Sequence, residues 1–314
     1  MQLDAVFELG DVELELGAVL PSAQLAYRTH GALASGRDNA VLFPHQYSAT
    51  PASLDPWIAA GRALDPGRWF VICPGQLANG VSSSPSTTSG AFPDLTIGDD
   101  VAAQRRLVSE HLGIERLELV LGFSMGAQQA YEWAVRFPRM VSRLAVFAGL
   151  AQTTPANDLL VAASAEALRT GGTTQHAHFW AATGLSAALF RREGWRDAGF
   201  ASVADLVTRL FEEDYGSAQS ADLLAQLAKW RRADVSRHTG GDLPDALARI
   251  AARTVVVAFS HDGWFPAADC RAEQELITGS MLRMVESDWG HYAWGIAAAE
   301  TAQIEQILSE LLAT

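Results

Sequence analysis

Over the first half of the chain, short continuous apolar runs alternate with amphipathic helical segments, and that alternation predicts an α/β fold. Residues 39–44, apolar after Asn39, and residues 69–73 are short apolar runs that lead into loops, as parallel strands buried on both faces do. Residues 117–121 and 144–148 repeat the pattern. Ile97, Val101, Val108 and Leu112 share one helical face, closed by Gly113. A second helix runs over 127–137 and stops at Pro138. Ahead of these, residues 6–17 alternate about Gly10-Asp11 and predict a hairpin, with 23–29 as a third antiparallel strand. Residues 56–64 predict a short helix; residues 80–92, rich in Ser, Thr and Gly, predict a long surface loop.

The pattern changes after Gly149. Amphipathic helical segments follow one another at 158–169, 185–192, 204–213 and 220–232, with no convincing strand among them. Strand-like sequence returns at 254–259 and 281–285, followed by a C-terminal helix through Leu312. The reading is a core in two parts, 1–150 and 248–314, interrupted by a helical cap insertion over 151–247. The core is a mostly parallel sheet with helices on both faces. The cap lies over one end of it, where parallel-sheet enzymes place their sites.

Composition narrows the picture. Of 314 residues, 49% are apolar and 19% charged, enough for a sizeable core. The net charge of −13 argues against nucleic acid and anionic membrane surfaces as partners. Cys73 and Cys270 are far apart and form no C-x-x-C pair, which leaves a disulfide scaffold or a cysteine zinc site unsupported. No H-E-x-x-H or comparable ligand cluster occurs, so no metal is expected, and no other cofactor. Met1 to Val6 lacks a basic region and a long apolar run, so no signal peptide is expected. No stretch approaches the roughly 18 apolar residues of a membrane span. The expected location is the cytoplasm.

The chemistry centres on Gly122-Phe123-Ser124-Met125-Gly126, set between a buried strand and a helix. A turn this tight needs glycines at its flanks, and it lifts the serine hydroxyl above the sheet. Serine is a weak nucleophile without a base, and the base needs an orienting carboxylate. In hydrolases built on such an elbow these follow in the order Ser, acid, His. Asp262, in the loop leaving strand 254–259, is the candidate acid; Glu286 and Asp288 are rivals on the loop after the last strand. His291, at the end of that loop, is the candidate base. The tetrahedral intermediate needs two backbone donors. One is the N–H of Met125; the other comes from His45-Gln46-Tyr47-Ser48, with Tyr47 the contributor and Gln46 the neighbouring possibility.

Several ordered motifs then point one way: Asn39-Ala40-Val41-Leu42 with the His45 loop, Trp69 to Pro74, Phe92-Pro93 with Thr96-Ile97, Leu112 to Leu117, and the elbow with Glu132-Trp133. Together they resemble the homoserine O-acetyltransferase family. The resemblance implies the α/β-hydrolase fold, a Ser124–Asp262–His291 triad, a helical cap and a homodimer formed through that cap. The chain departs from the family in its pocket. Phe123 and Ala127 replace two elbow glycines, and Tyr292 stands where the transferases carry the Asp that holds the homoserine amino group. Arg191-Arg192 and Arg231-Arg232 are available to grip a carboxylate but read as solvated faces. Tyr47, Gln46, Phe123, Tyr292 and Trp264 make a pocket suited to a small apolar acyl ester. Trp289 is a further candidate, whereas Trp294 reads as a core residue of the C-terminal helix. The function expected is a serine carboxylesterase acting on short-chain, acetate-type esters through an acyl-serine. The alternative is an acyl-CoA-dependent O-acyltransferase.

Overall fold

The structure, a computed structural model, describes residues 5–313. Met1 to Asp4, on which most of the leader reading rests, and Thr314 lie outside the described residues. Strands β1 (Ala5–Glu13), β2 (Val19–His30), β3 (Ala40–Leu42), β4 (Phe70–Pro74), β5 (Leu119–Phe123), β6 (Arg143–Phe147), β7 (Arg253–Phe259) and β8 (Met281–Val285) form one sheet. Its order is β1-β2-β4-β3-β5-β6-β7-β8. The pairs β1–β2 and β2–β4 are antiparallel, and every pair from β4 onward is parallel. All residues of β3, β4 and β5 are buried. Successive strand residues face opposite sides, so both faces of the sheet centre are covered.

Two local readings at the N-terminal end are corrected. The hairpin does not turn at Gly10-Asp11: Gly10, with φ +69°, marks a bulge where the β1–β2 register shifts. The chain reverses later, where Leu14 N–H donates to the Ala18 carbonyl and Gly17 takes φ +86°. The short helix expected over 56–64 is instead a 3₁₀ segment, Pro51–Trp57, with Pro56 near its end. Ser53 Oγ accepts the Thr50 N–H, which starts the turn earlier than the apolar spacing suggests.

Residues 80–92 are not purely a surface loop. Ser82, Ser83 and Ser84 are buried, and the hydroxyls of Ser82 and Ser83 accept the Ala26 and Gln24 N–H groups of β2. Their polarity reads as exposure in the sequence, but here it satisfies buried backbone donors.

Helix α1 (Ile97–Arg106) continues as a wider π turn through His111, and α2 (Met125–Arg136) packs on β5 and β6. Between β6 and β7 the chain is helical: α3 (Pro155–Gly184), α4 (Ala187–Arg191), α5 (Val203–Val207), α6 (Glu213–Gly216), α7 (Ser220–Arg231) and α8 (Leu243–Ala248). The sequence pattern ends the first of these at 169, yet α3 runs on past a kink at Gly172. Helix α9 (Ala267–Gln274) packs on β7 and β8, and α10 (Ala298–Leu312) on β8. No helix among the described residues is long and apolar enough to cross a membrane.

The cap is tied to the core by buried polar bonds. Lys229 on α7 and Asp100 on α1 form a fully buried ion pair, and both bracket Leu77: Lys229 Nζ donates to its carbonyl at 2.9 Å and Asp100 accepts its N–H at 2.8 Å. Burial pushes the Asp100 carboxyl up to about 6 against the pull of Lys229, and holds the Lys229 ammonium below its usual value. On α3, Asn157 donates to the Trp264 carbonyl at 2.7 Å and accepts from the Trp230 indole at 2.8 Å.

Candidate active site

Because β3, β5, β7 and β8 run parallel, the loops leaving their carboxyl ends meet on one edge of the sheet. Ser124 follows β5 in a left-handed conformation, φ +56° and ψ −123°. A non-glycine residue is strained there, and the surroundings hold it in place. A Cβ on Gly122 would lie 2.1 Å from the Gly126 carbonyl oxygen, and one on Gly126 would lie 2.4 Å from that of Pro44. The two glycines therefore let strand, elbow helix and the loop after β3 close on one another.

His291 Nε2 lies 3.0 Å from Ser124 Oγ, and Nδ1 lies 2.7 Å from Asp262 Oδ2. The carboxylate can only accept, so Nδ1 carries the proton and Nε2 is bare toward the serine hydroxyl. The other Asp262 oxygen accepts the N–H groups of Trp264 and Phe265, at 2.8 and 2.9 Å. All three side chains are buried. The rival acids are elsewhere: Asp288 pairs with Arg192 at 2.8 Å, and with Glu286 it lines a separate polar depression.

The loop after β3 lies against the elbow. His45 is wholly buried; its Nδ1 is 2.9 Å from the Gln46 carbonyl, and Asn79 donates to Nε2 at 3.1 Å. Burial pushes this imidazole down to about 4, so it is neutral. Its carbonyl accepts from Gln76 at 2.6 Å and from Gln129 of α2 at 3.1 Å, which ties the loop to the elbow helix. Among the described residues, no protein acceptor takes the backbone N–H of Tyr47. Met125 opens α2, and its N–H, at the first position of the helix, has no partner within the helix.

Above Ser124 is a cavity of about 320 Å³, lined in part by Gln46, Tyr47, Phe123 and Tyr292. The Phe123 ring stacks on His291, centroids 4.7 Å apart, and on Trp294 at 5.1 Å. Trp294 therefore lines the cavity; it precedes α10 and is not a residue of that helix. Trp264, expected in the pocket, does not line it. It is stacked behind Trp180 at 4.0 Å, with Asp262 setting its backbone. Trp289 packs near Phe200, away from the cavity.

The cap supplies Trp180, Arg209, Asp214 and Tyr215 to the walls, and the sequence reading missed all four. It also missed His176, buried one turn before Trp180. Spacing of four on one helix face was the available clue, but it does not say what the face meets. The basic pairs at 191–192 and 231–232 are surface groups; Arg192, Arg231 and Arg232 bind Asp288, Asp158 and Asp94. Among the described residues, one group of candidate metal ligands, Glu15, Glu132 and His238, comes together. Arg237 and Arg136 already neutralise its carboxylates, and it does not border the cavity.

The family model for the alpha/beta hydrolase fold matches residues 39–294. The chain is 39% identical to an ethyl acetate hydrolase of Pseudomonas veronii, over 98% of this chain and 95% of that one. It is 30% identical to a homoserine O-acetyltransferase of Clavibacter michiganensis subsp. michiganensis, over 98% and 91%. The crystal structure of an acetylester hydrolase from Corynebacterium glutamicum superposes with a TM-score of 0.97 at 38% identity, covering 99% of this chain and 96% of that one. The chain belongs to the α/β-hydrolase fold family, among members that include both esterases and homoserine O-acetyltransferases.

Proposed function

We infer that this chain is a serine carboxylesterase that hydrolyses short-chain, acetate-type esters through an acyl-serine intermediate. The observation that carries the reading is the hydrogen-bonded chain from Ser124 through His291 to Asp262, opening into a small cavity walled by aromatic rings together with a few polar groups. Ser124 Oγ attacks the ester carbonyl while His291 Nε2 takes its proton. Asp262 holds the imidazole tautomer and stabilises the imidazolium. The N–H groups of Met125 and Tyr47 receive the oxyanion. His291 then protonates the leaving alcohol, and a water activated by the same nitrogen releases the acid.

Water as the acceptor is favoured by Tyr292, which meets Phe211, Tyr215 and Gly184 and puts a phenol in place of a carboxylate directly after His291. The carboxylate on the cavity wall, Asp214, comes from the cap and accepts from Ser48 Oγ at 3.3 Å. The full-length relatives named as ester hydrolases are also more similar than the transferase, 39% against 30%. The enzyme acts in the cytoplasm, as a homodimer formed through the cap, where Leu159 on α3 is 71% exposed. Sedimentation velocity checks the dimer: a species of twice the 33.7 kDa chain mass is expected, and a monomer at micromolar concentration would refute it. For the chemistry, Ser124→Ala is expected to abolish acetate release from ethyl acetate and leave the near-UV spectrum unchanged. Full activity in that variant would overturn the assignment. With excess homoserine present, acetate is expected as the main product, and O-acetylhomoserine as the main product would restore the transferase reading.

A further inference from the structure

The loop after β3 meets the elbow through the backbone of Pro44 and His45, and two residues on, the Tyr47 side chain is held by the cap. Its hydroxyl lies 3.0 Å from His176 Nε2, and its ring contacts His176, Trp180, Tyr215 and Trp230, all from α3, α6 and α7. His176 is wholly buried, and its Nδ1 is 3.1 Å from the Ser164 carbonyl. A carbonyl only accepts, so Nδ1 carries the proton and Nε2 is the acceptor. The phenol therefore donates to His176 and cannot rotate its proton toward the cavity. Burial holds the imidazole neutral, pushed down to about 4. The next residue is bound from the same side: Ser48, at φ +61°, donates its N–H to Gln226 of α7 at 3.2 Å.

We propose that His176 is a positioning residue for ester hydrolysis: from the cap it anchors the Tyr47 hydroxyl, and so aims the Tyr47 N–H at the developing oxyanion. This rests on the esterase reading above. From the core side the same peptide is held at its carbonyl end, where the Gln46 carbonyl accepts from His45 Nδ1 at 2.9 Å and from Gln76 at 3.3 Å; the His176 bond fixes its other end, at the Tyr47 side chain. The cap is thus part of the catalytic apparatus and not only a wall around the substrate. A donor that must meet an oxyanion at hydrogen-bond length loses effect with small displacements.

The test is steady-state kinetics on ethyl acetate for Tyr47→Phe, His176→Leu, His176→Gln, the Phe/Leu double variant and Ser124→Ala. Loss of a whole oxyanion donor costs on the order of 10² to 10³ in kcat, and a mis-aimed one a fraction of that. We expect kcat to fall about tenfold in Tyr47→Phe and in His176→Leu, with KM within about twofold. The double variant should be no slower than either single one, because both remove the same bond. Glutamine retains an acceptor and a donor, so His176→Gln should recover most of kcat. Unchanged kcat in both single variants, with Ser124→Ala inactive, would overturn the proposal and leave the esterase reading standing. Turnover that survives Ser124→Ala would remove the reading and the proposal together. If His176→Leu fails to fold, Tyr47→Phe and His176→Gln decide: wild-type kcat in the former refutes the bond's role.

Discussion

Replacing Lys229 by Met would remove the buried cation that ties the cap to α1 while keeping most of the side-chain volume. In the native pair Asp100 is wholly buried and its carboxyl is already pushed up to about 6, against about 3.9 in an unfolded chain. A raised acid costs stability as pH climbs from its unfolded to its folded pKa, so the native protein loses stability up to about pH 6 and then levels off. Without Lys229 only the Leu77 N–H still favours the charged form against full burial, and Asp100 keeps its proton to well above neutrality. The variant therefore continues to lose stability above pH 6, at roughly 1.4 kcal/mol per pH unit. Two units of that slope make the substitution cost about 3 kcal/mol at pH 8, the scale expected for breaking a buried pair.

Urea denaturation of both proteins at about pH 5.5, 7 and 8 measures it. The two curves should run parallel at the acid end and diverge above pH 6. The double change Asp100→Asn with Lys229→Met should remove the divergence, because an amide can serve both the N–H and the carbonyl of Leu77. A variant within about 0.5 kcal/mol of native at pH 8, with no divergence, would show that the pair carries no charge in the folded protein.

Two further outcomes follow from the geometry. Gly126→Ala would set a Cβ 2.4 Å from the Pro44 carbonyl oxygen, which is backbone and must move with its loop. A fall of about 100-fold in kcat on ethyl acetate is expected, and activity within twofold of native would refute the argument. His45 and His176 both resist protonation until about pH 4, whereas unfolded histidine protonates near 6.5. Stability is thus complete above pH 6.5 and is lost as pH falls toward 4, by up to roughly 3 kcal/mol for each histidine. Urea titrations of native protein and His176→Gln should differ in slope across that window; equal slopes would show that His176 does not contribute.

What the sequence made legible was what local sterics and burial dictate. The continuous apolar runs of β4 and β5 can lie only in a sheet covered on both sides, and the spacing of Gly122 and Gly126 around Ser124 suits only a very tight turn. Because parallel strands all end on one edge, reading the strands also indicated where Asp262 and His291 would emerge. Gly10 misled because a left-handed glycine serves a bulge as readily as a turn. The serines at 82–84 misled because hydroxyls that cap buried backbone look like loop composition. The cap's share of the cavity was illegible for a different reason. Tyr47 and His176 lie 129 residues apart, and no periodicity within α3 names its partner across that distance.

The parallel indoles of Trp180 and Trp264 have an optical consequence. One belongs to the cap and the other to the core loop that carries Asp262, and Trp230 lies 5.3 Å beyond Trp264. Indoles this close share excitation, so their emission depends on whether the stack is assembled. Any loosening of the cap must part the two rings, and the protein would report it in its own ultraviolet fluorescence. Ligand entry, cap unseating and cap unfolding can thus be timed without a label.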